Sequence, residues 1–179
     1  MSEQPLKRTP CYAWHVAHGG RMVDFAGWEM PVQYSSIVTE HQAVRRQAGL
    51  FDIAHMGRLK FTGPDAANFL NLLVTNNVRD LDVGQIQYAL VCNQAGGILD
   101  DVLVYRLPDH YLMVVNASNR MKIIRWIAQH MGAFSLQLED LTDSHGMLAL
   151  QGPLAESLLN PLVDIDLKQV RYYWGRELV

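Results

Sequence analysis

The stretch Gly96-Gly97-Ile98-Leu99-Asp100-Asp101-Val102-Leu103-Val104-Tyr105 decides how this chain is read. A glycine pair permits a tight turn, and the apolar run after it has the length and β-branched content of a strand. Side chains alternate sides along a strand, so the two adjacent carboxylates point to opposite faces. Asp101 shares its face with Leu99, Leu103 and Tyr105; Asp100 shares the other with Ile98, Val102 and Val104. Neither set reads as a solvent face. At least one carboxylate is therefore expected among apolar neighbours, where ionisation is costly without a partner. Tyr88 lies on the preceding strand across the turn, and Tyr105 lies on the Asp101 face. A carboxylate between aromatic walls suits a flat, nitrogen-bearing ligand, the acid accepting N–H bonds while rings pack on the faces. The alternative is a buried aspartate bonded to a backbone N–H or an arginine, and patterning alone does not separate the two.

Working outward, the spacing predicts an antiparallel meander: Tyr88 to Cys92, a turn at Gln94-Ala95-Gly96-Gly97, Ile98 to Leu107, a Pro108-Asp109 turn, and Tyr111 to Val115. A helix is predicted near 119–131, with Ile123, Ile124, Ile127 and Met131 on one stripe, followed by a strand over 134–138. Upstream, residues 11–35 read as a long glycine- and aromatic-rich loop with short extended pieces. Ser35 or Ser36 caps a helix over 37–48 with Glu40 in its first turns, and Gly49 ends it. Arg58 to Thr62 alternates as a strand, Gly63-Pro64 breaks it, and Pro64 suits the first position of a helix bearing Ala67, Phe69, Leu70 and Leu73.

That strand–Gly-Pro–helix pattern recurs at Met147 to Pro153 with Ala155, Leu158, Leu159 and Leu162. It reads either as two related βα units on a common antiparallel sheet or as a common connection used twice. The fold class expected is α+β: an antiparallel meander sheet with packed helices and pseudo-repeated strand–Gly-Pro–helix units. The division expected is a loop-rich N-terminal segment with the first helix (1–50) and an α+β domain (51–179). The last residues, Trp174 to Val179, look like an entering strand, as in a fragment of a longer protein.

With 179 residues, 49% hydrophobic and 18% charged, the chain has the composition of a soluble globular protein able to bury a core. A formal net charge of −3 and no basic run longer than Arg45-Arg46 argue against nucleic-acid binding. No membrane-length segment or leader is evident, and Cys11 and Cys92 lie far apart without metal or disulfide spacing, which favours the cytoplasm. His15 and His18 stand three apart but lack a third ligand, so no metal site is expected. His55, flanked by apolar residues, reads as a hydrogen-bonded structural histidine. Gly96-Gly97 feeds a strand and not a helix, against a nucleotide loop; GxSxG is absent; and adjacent carboxylates on opposite faces do not flank one glycosidic bond.

Four stretches together carry a resemblance: Met22-Val23-Asp24-Phe25-Ala26-Gly27-Trp28-Glu29-Met30-Pro31, Gly49-Leu50-Phe51-Asp52-Ile53-Ala54-His55-Met56-Gly57, Cys92 to Asp101, and Leu150-Gln151-Gly152-Pro153. In this order the chain, from about Thr9 onward, resembles the N-terminal half of the glycine cleavage system T-protein, the tetrahydrofolate-dependent aminomethyltransferase. The first and third stretches are specific to it; the Gly-Pro motif is not. Ala54 departs from the serine common in the family. The resemblance implies that the aminomethyl group on the lipoyl arm of the H-protein passes its methylene to tetrahydrofolate, with release of ammonia. It implies a folate-binding role for the 51–179 domain, truncated at its C-terminal end, with tetrahydrofolate as co-substrate and no metal.

By the same resemblance Asp101 is the catalytic carboxylate, beside the reacting nitrogens of the folate, and Asp100 its structural partner. Tyr88, Tyr105 and Tyr172 match positions lining the folate pocket, as do Met56 and Asn116. The family's later Gly-Tyr-Thr-Gly-Glu segment and a downstream arginine have no counterpart here, so the piece alone is expected to be inactive. A folate-dependent demethylase of the same fold and a non-catalytic folate-binding protein are the alternatives. Intact Asp101 and the full Phe-Ala-Gly-Trp-Glu-Met-Pro stretch favour the aminomethyltransferase.

Overall fold

A computed structural model describes residues 5–178. Its elements, in chain order, are α1 (Tyr12–Ala17), β1 (Met22–Phe25), β2 (Trp28–Pro31), α2 (Ile37–Arg46), β3 (Gly49–Asp52), β4 (Gly57–Thr62), α3 (Ala66–Leu73), β5 (Ile86–Cys92), β6 (Ile98–Arg106), β7 (Tyr111–Val115), α4 (Arg120–His130), β8 (Gln137–Asp140), β9 (Leu148–Gln151) and α5 (Ala155–Leu159). The chain packs as two compact units. One is the segment up to His55 with His145–Lys168; the other is Met56–Ser144 with the segment from Gln169 onward.

The second unit is built on a five-stranded antiparallel sheet of order β5-β6-β7-β4-β8. The predicted meander forms its first three strands. Alternation along β6 sorts the faces: Asp100, Val102 and Val104 are buried, while Asp101 is exposed and Leu103 and Tyr105 are partly covered. The buried face gathers Leu59, Phe61, Ala89, Val91, Met113 and Val115 under Phe69, Leu70 and Leu73 of α3 and Ile123 and Ile127 of α4. The helix stripes read from the sequence are the ones that cover this sheet. The other face bears Asp101.

Some expected boundaries move, each for a local reason. Residues 134–136 stay out of the ladder because the Ser135 N–H donates to Asp65 Oδ2 (2.8 Å) and the Asp65 N–H to the Ser135 carbonyl (3.3 Å). The strand therefore begins at Gln137, with Leu138 opposite Phe61. Pro64 lies in the turn before α3, closed by the Ala66 N–H on the Gly63 carbonyl (3.2 Å), not in the helix itself.

In the first unit, the expected long loop over 11–35 contains α1 and a hairpin. Ala26 (φ 54°) and Gly27 (φ 82°) both take left-handed backbone between paired Phe25 and Trp28. This is the two-residue connection whose twist matches antiparallel strands, here with alanine where asparagine is usual. Ser36 caps α2 through Oγ, and Glu40 accepts the backbone N–H groups of Tyr34, Ser35 and Ser36. The helix stops at Arg46, and Gly49 opens β3.

The two strand–Gly-Pro–helix units share backbone geometry. Gly63 has φ 110° and Gly152 φ 120°, each followed by a helix whose first N–H bonds back to that glycine. They do not share a sheet: β4 lies in the five-stranded sheet, and β9 pairs only with β3, Leu150 opposite Leu50. What decides this is docking within the first compact unit: the Leu154 N–H binds the Gln47 carbonyl just past α2 (2.9 Å), holding the Gly152-Pro153 turn against the N-terminal segment.

Candidate functional site

The pleat of β6 and the end of β7 bring the acidic pair to one polar cluster. Asp100, 3% exposed, accepts three N–H bonds: Asn116 N (3.0 Å), Asn116 Nδ2 (2.9 Å) and Asn119 Nδ2 (2.5 Å). These are the partners a buried carboxylate needs. Asp101 points the other way. Its Oδ1 accepts Asn116 Nδ2 (2.8 Å), its carbonyl accepts the same nitrogen (3.2 Å), and its Oδ2 lies 3.4 Å from the Tyr88 hydroxyl. Asn116 thus spans both carboxylates with one amide group. The sequence predicted a carboxylate among apolar residues; the buried one is Asp100, and the one aimed at open surface is Asp101.

Tyr88, on β5, is 48% exposed, and its phenol is held above the ordinary value by partial burial, by the Asp101 charge and by Tyr173. Burial, then Tyr173, raises the Tyr105 phenol as well. Both phenols therefore stay protonated as donors over the physiological range. Met56 precedes the Gly57–Val115 pair of the β4–β7 ladder and Asn116 follows it, so register sets Met56 at the same end of the sheet as Asn116. Its carbonyl accepts Arg58 Nη1 (2.8 Å).

Tyr172 is 89% exposed, its ring set edge-on to Tyr173 at 4.6 Å. Tyr173, with left-handed backbone (φ 60°), accepts the Ile86 N–H on its carbonyl (2.8 Å), and it is this residue whose phenol acts on Tyr88 and Tyr105. The structure thus joins Asp101, Tyr88 and Asn116 by direct bonds, with Tyr105 on the same strand face. Tyr173, which the sequence reading did not single out, acts electrostatically on Tyr88 and Tyr105. Asn119 was also missed, although Asn116 and Asn119 follow the end of a strand at one helical turn's spacing, a signal the sequence does contain.

On the face carrying Asp101, the carboxylate itself is exposed while Leu103 and Tyr105 are partly covered. The cavity of about 260 Å³ lined by Phe69, Leu73, Cys92 and Trp126 belongs to the helix-bearing side of the sheet. In the first unit His15 is buried between Tyr34 (2.6 Å) and Asp52 (2.9 Å), and His18 stacks on Trp14. Burial works against ionisation of Asp52, but the Thr9 side chain, then His15 and the Ala54 N–H, outweigh it and hold the carboxyl below its usual value. His55 meets the Phe25 ring edge-on. Among the described residues no group of three His, Cys, Asp or Glu is placed to hold a metal ion, and no helix is long and apolar enough to cross a membrane.

The chain is 48% identical over 170 residues to an aminomethyltransferase of Desulfitobacterium hafniense (strain DSM 10664 / DCB-2), covering 94% of this chain and 47% of the relative. It is 45% identical over 175 residues to one of Lysinibacillus sphaericus (strain C3-41), covering 97% and 48%. The crystal structure of glycine cleavage system aminomethyltransferase T from Bartonella henselae superposes with a TM-score of 0.88 at 33% identity, over 94% of this chain and 46% of that one. The chain therefore spans about half the length of the relatives it matches. With residues 11–179 fitting its model, the chain belongs to the GCVT N-terminal domain family, the N-terminal half of the glycine cleavage aminomethyltransferases.

Proposed function

We propose that this chain supplies the tetrahydrofolate-facing part of an aminomethyltransferase in the cytoplasm. The reaction takes the aminomethyl group from the dihydrolipoyl arm of the H-protein, releases ammonia and leaves the methylene on tetrahydrofolate. The observation that carries this reading is Asp101: a carboxylate on an open sheet face, fixed by Asn116 Nδ2 at 2.8 Å and flanked by protonated phenols. The donor set suits a pterin. Asp101 retains acceptor capacity for ring N–H groups, because its Tyr88 contact is long. Tyr88 and Tyr105 offer aromatic surface beside it.

Asp101 orients the folate and balances the charge that develops as its nitrogen meets the one-carbon unit. Both protons of the Asn116 amide are engaged by the aspartates, so toward a ligand it offers its carbonyl oxygen. In a full-length protein, Asp101→Asn is expected to lower H-protein-dependent transfer by about 100-fold or more, the usual scale for a positioned proton-transfer group. Tetrahydrofolate affinity, measured by titration, stays within a few-fold. Unchanged turnover would remove Asp101 from the mechanism. Binding without any transfer in the unaltered protein would favour a non-catalytic folate-binding role.

A further inference from the structure

We infer that Asn119 is a positioning residue for Asp101, acting through Asp100 and Asn116. The inference rests on the role proposed above for Asp101. Asn119 itself bonds on the buried side, to Asp100 Oδ1 at 2.5 Å. Asp100 lies on the Val102–Val104 face and Asp101 on the opposite one, so no direct contact couples the two carboxylates. The Asn116 amide couples them: its protons reach Asp100 Oδ1 (2.9 Å) and Asp101 Oδ1 (2.8 Å), and its backbone N–H anchors Asp100 Oδ2 (3.0 Å). Asn119 fixes Asp100, Asp100 fixes the plane of the Asn116 amide, and that plane sets where the Asp101 carboxylate is held.

A second observation concerns how Asn119 is delivered. It closes a single 3₁₀ turn (Ala117–Asn119) that runs directly into α4, with helical backbone and its N–H on the Asn116 carbonyl (3.0 Å). Its amide makes no cap bond and is turned onto Asp100, so one short turn presents both Asn116 and Asn119 to the acidic pair. A reactive side chain locked by a supporting layer of hydrogen bonds is the arrangement that holds a site to productive geometry.

The test combines a structural and a kinetic readout. In this chain, Asn119→Ala is expected to speed solvent exchange of the Asn116 side-chain amide protons by about 3- to 10-fold, the scale of losing one hydrogen bond. Backbone amides of the β6–β7 ladder stay protected, which reports that the sheet is intact. Asp101→Asn, at an exposed carboxylate, is expected to shift the Asn119 side-chain amide resonances in return. An Asn116 amide indifferent to Asn119→Ala in an intact sheet overturns the relay. Should that variant not fold, stationary Asn119 resonances in Asp101→Asn overturn it instead.

In the full-length enzyme, Asn119→Ala is expected to lower kcat about fivefold, leave the KM for tetrahydrofolate within about twofold, and cost nothing further on top of Asp101→Asn. An equal loss in both backgrounds places Asn119 outside the relay. Absence of transfer by the unaltered enzyme would refute the proposed function, while the amide measurements would still decide the relay.

Discussion

Tyr88 and Asp101 share a contact that each reports on. Partial burial, then the Asp101 charge and bond, keep the Tyr88 phenol protonated beyond its ordinary value. Removing the charge removes a cause that raises it, so Asp101→Asn is expected to move the Tyr88 titration downward, toward the ordinary tyrosine value of about 10. Carbon-13 labelling of the tyrosine rings reads this residue by residue, with Tyr88→Phe identifying its signal. A Tyr88 midpoint indifferent to Asp101→Asn would mean that the two side chains do not meet in solution. At this scale the sequence was informative within one strand and silent between segments. Alternation placed Asp100 and Asp101 on opposite faces, since the pleat is a local property. It did not reveal that Asn119 would serve Asp100, or that Asp52 would meet His15, because those pairings depend on how distant segments fold together.

The paired Gly-Pro turns show the same division among elements. Strand, turn and helix were legible at both places because glycine, proline and apolar spacing act locally. Strand partners were not: β4 joins the large sheet, while β9 pairs with β3 from near the other end of the chain. Gly152 makes its placement strict. Its φ of 120° is one side chains rarely adopt, and a Cβ there would stand 2.6 Å from both the Gln47 and the Val44 carbonyl oxygens. Gly152→Ala is expected to destabilise the protein by about 2–4 kcal/mol, since strained backbone and a backbone clash add together. Gly132→Ala is the control: its Cβ would meet nothing within 4 Å and its backbone is not left-handed, so its thermal midpoint should match the unaltered protein. Equal midpoints for the two variants would show that the turn at Gly152 yields easily.

Across the whole molecule the decisive fact is how little of the candidate site is enclosed. Tyr88 is 48% exposed and Tyr172 89% exposed, and Asp101 faces open surface. Small-molecule sites commonly cover about 70–90% of a ligand's surface, and polar contacts discriminate best when water is excluded. On the function proposed above, a pterin on this face would keep one side in water. The chain covers 46% of the Bartonella henselae aminomethyltransferase, so that longer protein offers a direct comparison. Tetrahydrofolate is expected to bind the isolated chain at least about tenfold more weakly, a difference of 1.4 kcal/mol or more, because contact from the uncovered side is missing. Calorimetric titration of both proteins under one buffer measures the gap, and a parallel assay with lipoylated H-protein should detect no methylene transfer by the isolated chain. Loss of binding in Tyr88→Ala and Tyr105→Ala variants of the chain, which remove the aromatic surface, would show that the residual affinity belongs to this face. Equal affinities for the two proteins would mean that the open face is already the whole binding site, and measurable transfer would mean that the acid and its aromatic neighbours suffice for the chemistry.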